Sequence, residues 1–180
     1  MRGAKPDPAD RGDRTRANHP RIAEPTPSDH LAVMTRAIFQ AGVSWAQIDG
    51  QWERLVEAFE GFDPRKVARY GHKDIRRIME APQILHSERK IRATVDNAKA
   101  MLALEREHKS LRAYLRSHKT YAALTTDLRR NFKYVGDVSA YYYLYRVGEK
   151  VPPFARWIKT VEGDHPRVRE MVKQTKRLSR

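Results

Sequence analysis

The chain has 180 residues, with 36 Lys and Arg against 22 Asp and Glu, a formal net charge of +14 and no cysteine. That length admits one globular domain or two helical lobes sharing a cleft and excludes a multidomain machine; the missing thiols exclude disulfides, iron–sulfur clusters and thiolate zinc sites. Hydrophobic residues make up 40%, enough for a buried core, and the positive charge spread along the chain suits a polyanion, with nucleic acid ahead of ribosomal or anionic-membrane contacts.

Residues 1–27 are rich in Pro, Gly and charge without apolar periodicity, and are expected to form a flexible basic arm that adds little to the core; residues 28–180 are expected to form the folded domain. Neither a secretory signal nor a run of eighteen apolar residues occurs, and Asp7, Asp10 and Asp13 argue against a transit peptide. The expectation is a cytoplasmic protein without membrane contact.

A first helix is predicted to start at Ser28 and Asp29, its apolar face formed by Leu31, Met34, Ile38 and Phe39. Ala41-Gly42-Val43 breaks that period, and Ser44 caps a second helix carrying Trp45, Ile48, Trp52, Leu55, Val56 and Phe59 until Gly61 ends it. Asp63-Pro64 opens a short helix with Val67 and Tyr70, another runs from Lys73 to about Glu80, and Pro82 forces a turn. A long helix follows from Ser87 through Ile91, Val95, Ala98 and Met101, then two more over 111–117 and 121–130. Gly136 marks a tight hairpin before a helix holding Val138, Tyr142, Leu144 and Tyr145 that ends near Gly148. Val151-Pro152-Pro153 is extended, and a basic helix closes the chain. No stretch shows period-two alternation bounded by hairpin turns, so the predicted class is all-α.

Several segments in order carry a family pattern. MTRAIFQAGVSWAQIDGQWERLVEAFEGF (34–62), FDPRKVARY, IMEAPQILHSERKIRATVDNAKA and NFKYVG together resemble the 3-methyladenine DNA glycosylase I family over about residues 31–150. The resemblance implies a helix-hairpin-helix bundle with two helical lobes around a cleft. It also implies a monofunctional hydrolysis of the bond between deoxyribose and an alkylated purine, acting in base excision repair on a flipped-out nucleotide. Such an enzyme fills the vacated space in the duplex and holds the extruded base in an aromatic pocket.

By that resemblance Gln40 and Val43 fill the gap, protruding from the Ala41-Gly42 turn, and Trp45 stacks on a cationic base. Ala37, Phe39, Tyr141 and Tyr142 line the rest of the pocket. Packing between helices is the competing role for Val43, Trp45 and the tyrosines. Lys133, Tyr134, Val135, Gly136 and Ser139 bind a DNA phosphate, because glycine permits a sharp turn and amides at a helix N-terminus attract an anion. Arg129 and Arg130 reinforce that grip, and Trp157 is a further pocket candidate.

The chain departs from the family at definite places. The acidic residue that reads the methylated adenine falls at Ala37, and the amino-terminal aromatic segment and the Cys and His zinc ligands have no counterpart, so no metal or other cofactor is expected. Val138 stands where lyases of the wider superfamily carry Lys. Val151-Pro152-Pro153-Phe154-Ala155 lacks the catalytic Asp of related repair enzymes, leaving Asp137 and Glu149 as the nearest carboxylates. A cationic base is already a good leaving group, so binding and distortion can carry much of the catalysis. The expected partner is double-stranded DNA with alkylated or abasic nucleotides, met by a monomer. The alternatives are a non-catalytic damage-binding or architectural DNA-binding protein derived from a glycosylase, and a basic RNA- or ribosome-associated helical protein.

Overall fold

The computed structural model describes residues 20–82, 84 and 87–161; most of the chain after Pro153, where the closing helix is expected, and most of the amino-terminal arm lie outside them. The described residues form ten α-helices and no strand, as the period analysis predicts. They are α1 (Pro27–Gln40), α2 (Trp45–Asp49), α3 (Trp52–Ala58), α4 (Pro64–Val67), α5 (His72–Glu80), α6 (Glu88–His108), α7 (Leu111–Arg116), α8 (Tyr121–Asn131), α9 (Asp137–Arg146) and α10 (Phe154–Trp157), with one 3-10 turn over Glu60–Phe62. No helix among the described residues is long and apolar enough to cross a membrane.

Local chemistry explains most of the boundaries. α1 starts one residue earlier than expected, since Thr26 is its cap. The Thr26 hydroxyl accepts from the Asp29 amide while the Asp29 carboxylate accepts from the Thr26 amide, and Pro27 occupies the first turn. The helix predicted to run from Ser44 to Phe59 is instead two helices, separated at Gly50-Gln51. Gly50 keeps right-handed dihedrals there, and a Cβ on it would sit close to the Ala46 carbonyl, at 3.3 Å. Asp63, Ser110 and Thr120 cap α4, α7 and α8 through their own side chains.

α1 is the central element, packed against both α6 and α9. One continuous core runs from Leu31 to Val147. Its aromatic centre stacks Phe59 on Phe62 at 5.1 Å, with Phe39 edge-on to Phe59 at 6.3 Å and Trp52 stacked on Phe62 at 5.3 Å. A second, smaller cluster joins Tyr141 to Phe154, Trp157 and Ile158, which docks α10 on α9.

The end of the presumed arm is docked. The Ile22 amide donates to the Arg146 carbonyl at 2.7 Å, Ile22 packs on the core, and the Arg21 guanidinium lies over the Tyr145 ring at 4.6 Å. An apolar residue and a cation–π contact anchor this piece, which a reading of average composition overlooks.

Candidate nucleic-acid interface

Two loops bear most of the predicted site. The first, between α1 and α2, turns at Gly42, whose φ of +90° is a left-handed value that glycine adopts without a steric penalty. The Val43 amide donates to the Gln40 carbonyl at 3.0 Å, and the reciprocal Ser44–Gln47 box starts α2 directly afterwards. Val43 is half-buried at this turn. Gln40 differs from expectation. It is 2% exposed and its amide turns back toward the Val43 carbonyl at 3.5 Å, so it braces the turn and does not protrude. Trp45 is the first residue of α2; its side chain lies outside the described residues.

Ala37 and Phe39 also differ from a cleft-lining role, because both are buried in the main core. α1 is enclosed by several elements, α6, α9 and the Glu60–Phe62 turn among them, which leaves little of that helix open.

The second loop joins α8 to α9. Phe132 and Val135 are buried and anchor it, while Lys133 is exposed and Tyr134 is 57% exposed. The left-handed residue here is Tyr134, at φ +58°, and not the glycine. Gly136 is extended (φ −99°, ψ −173°) and caps α9 without a side-chain hydrogen bond. A Cβ built on Gly136 meets nothing within 4 Å, so its missing side chain relieves no internal crowding. What it leaves is open space in front of the first amides of α9, where the helix has unpaired N–H groups and the positive end of its dipole. Asp137, at first sight a poor neighbour for a phosphate, is bound by Arg129 at 2.6 Å, which offsets its charge.

The two candidate carboxylates are therefore both held by arginines. Asp137 pairs with Arg129, and both Glu149 oxygens lie 3.2 Å from Arg116 Nε. The tyrosine cluster also separates. Tyr141 stacks on Trp157 at 3.9 Å and donates to the Pro152 carbonyl at 2.9 Å, so both rings serve to dock α10 and neither is spared for a pocket. Tyr142 accepts from Arg146 at 2.9 Å, and burial raises its phenol pKa against the opposing charges of Arg146 and Arg36. Asp49, in the same helix as Trp45, also acts on it. Of the two tyrosines, Tyr142 is the one connected to the α1–α2 region.

Three residues escape a reading of the sequence. Arg36 pairs with Asp49 at the end of α2 and lies 4.5 Å over the Trp52 ring. Lys90 donates to the carbonyls of Phe39 and Ala41, and Asn97 holds the Lys133 peptide. Only Asn97 leaves a trace in the sequence, as an amide four residues from both Ala93 and Met101 on an apolar helix face. A groove of about 550 Å³ runs beside α5, lined by His72, Lys73, Arg76, Arg77, Glu80 and Ala81. It contains none of the predicted site residues.

Comparison with known proteins bears on the family and the fold. The DNA-3-methyladenine glycosylase of Haemophilus influenzae is 29% identical over 130 residues, spanning 61% of this chain and 70% of that protein. DNA-3-methyladenine glycosylase 1 of Escherichia coli is 27% identical over the same shares. The structure of Staphylococcus aureus 3-methyladenine DNA glycosylase I, which concerns its recognition of 3-methyladenine, superposes with a TM-score of 0.64 at 26% identity and covers 80% of this chain and 87% of that one. The methyladenine glycosylase family model matches residues 26–131, from the cap of α1 to the end of α8, and the chain belongs to that family.

Proposed function

We propose that this protein is a monofunctional DNA glycosylase that removes an alkylated purine of the 3-methyladenine type from a flipped-out nucleotide in duplex DNA, a step of base excision repair. Beyond family membership, the observation that carries the reading is the open N-terminus of α9. An extended glycine with free space at its Cβ position stands before unpaired amides, beside the exposed Lys133, which suits a DNA phosphate. The hairpin grips the backbone there, Val43 enters the gap, Gln40 stiffens the turn behind it, and Trp45 receives the base. Water adds to C1′ as the glycosidic bond breaks; the pair of the broken C–N bond passes to the cationic base and neutralises it, and the added water releases a proton to solvent, leaving the C1′ hydroxyl. The bound carboxylates leave the charge of the base as the main driving force.

The test is to incubate the protein with methylated duplex DNA and identify the released bases. Free 3-methyladenine is expected. Because Ala37 supplies no acceptor for an adenine edge, 7-methylguanine is expected beside it. In the same preparation Lys133→Ala should weaken binding to every sequence and lower the slope of log affinity against log salt by about 0.9. Binding of an abasic duplex without any base release refutes catalysis and favours the damage-binding reading, which the arginine-held carboxylates motivate. Strong RNA binding with no preference for damaged duplex would favour the third reading.

A further inference from the structure

Both loops of the candidate interface are held by one helix. Near the start of α6 the Lys90 ammonium donates to the Phe39 carbonyl at 3.0 Å and the Ala41 carbonyl at 2.7 Å, immediately before Gly42 and Val43. Further along, Asn97 closes a ring with the Lys133 peptide: its Nδ2 donates to the Lys133 carbonyl at 3.1 Å, and its Oδ1 accepts from the Lys133 amide at 2.7 Å. Lys90 and Asn97 are seven positions apart, which on an α-helix is about two turns and about 10.5 Å along one face.

Neither contact is needed to fill the core. Asn97 is 1% exposed on a stripe with Ala93 and Met101, where an aliphatic side chain would pack without bringing a polar group that must be satisfied. Its amide instead fixes a segment that has no secondary structure of its own and contains the left-handed Tyr134. Lys90 places a cation at the carbonyl end of α1, where unpaired C=O groups and the dipole favour it. Each residue thus ties one loop to the same rigid rod.

We infer that α6 is the spacing element of the DNA interface: Lys90 and Asn97 are positioning residues that hold the α1–α2 turn and the 132–136 hairpin at a fixed separation, so that only a duplex with a vacated nucleotide engages both at once. This rests on the glycosylase reading above and adds a specificity device to it. Each loop alone still meets an intact duplex, so loss of either tie removes discrimination and spares general phosphate binding. A merely structural role would instead weaken the binding of all DNA in parallel with stability.

The experiment measures affinity of the full chain for two duplexes of one sequence, intact and carrying a tetrahydrofuran abasic analogue. The wild type is expected to prefer the analogue. Asn97→Leu and Lys90→Met should each reduce that preference about tenfold while shifting intact-duplex affinity by less than about twofold. The double variant should lose little more than either single one, because one freed loop already abolishes the fixed separation. Hydrogen exchange supplies an independent readout: the Lys133 amide should exchange faster in Asn97→Leu while the amides within α6 stay protected. If Asn97→Leu does not fold, Asn97→Asp replaces it, since that change keeps the acceptor and removes the donor. Folded Asn97 and Lys90 variants that retain the wild-type preference overturn the spacing role alone. A wild type without any preference overturns the glycosylase reading and the spacing role with it.

Discussion

Gly136→Val is expected to lower affinity for duplex DNA by about 10- to 100-fold, or about 1.4–2.8 kcal/mol, the size of one or two lost hydrogen bonds to a charged group. The reasoning separates a glycine required by the backbone from one required by a ligand. Gly136 sits at φ −99° and ψ −173°, which any residue adopts, and open space surrounds its missing Cβ. Folding should therefore be nearly indifferent. The less favourable valine cap costs about 0.5–1 kcal/mol, which moves the melting temperature of a chain this size by about 2–4 °C at most. Binding should not be indifferent, since a branched side chain stands where a phosphate must approach the first amides of α9. Titration of a labelled duplex against both proteins, with a thermal melt of each, settles it. Unchanged affinity would remove the hairpin from the interface. Gly42→Val is the informative contrast, because at φ +90° the penalty there falls on the fold itself.

The second large effect concerns acid stability. His30 is buried on α1 and shares a 2.8 Å hydrogen bond with the hydroxyl of Tyr143, which is itself enclosed in the core. Burial lowers the His30 pKa from 6.5 to about 4, with Asp29 opposing the shift and Arg112 adding to it. The folded protein thus holds a neutral imidazole where the unfolded chain takes up a proton. Stability from this group is complete above pH 6.5 and declines as the pH falls through that value toward about 4. Linkage between those two values gives a loss of about 2 kcal/mol by pH 5. Thermal melts at pH 7 and pH 5 should show it, and His30→Gln, which can keep a hydrogen bond to Tyr143 without titrating, should flatten the difference. An equal acid loss in both proteins would assign it to other groups.

The sequence by itself determined the helical class, the order of the elements and most of their starts. Those features are local: Ser44, Asp63, Ser110 and Thr120 act on amides two or three residues away, and the apolar stripe of α6 repeats every turn. Even the misplaced start of α1 was a local ambiguity, since Asp29 resembles a cap and is the third residue of a box closed by Thr26. The family pattern likewise lies in contiguous segments, which is why both candidate loops stand out in the chain itself. What each side chain does there was not. Gln40 turns inward, Tyr141 is taken up by Trp157, and the left-handed residue of the hairpin is Tyr134 while Gly136 is extended. Asn97 and Lys133 are 36 residues apart, and Lys90 and Phe39 are 51 apart. A hydrogen bond over such a separation exists only once helices have packed and fixed which faces meet, so no spacing or propensity along the chain encodes it.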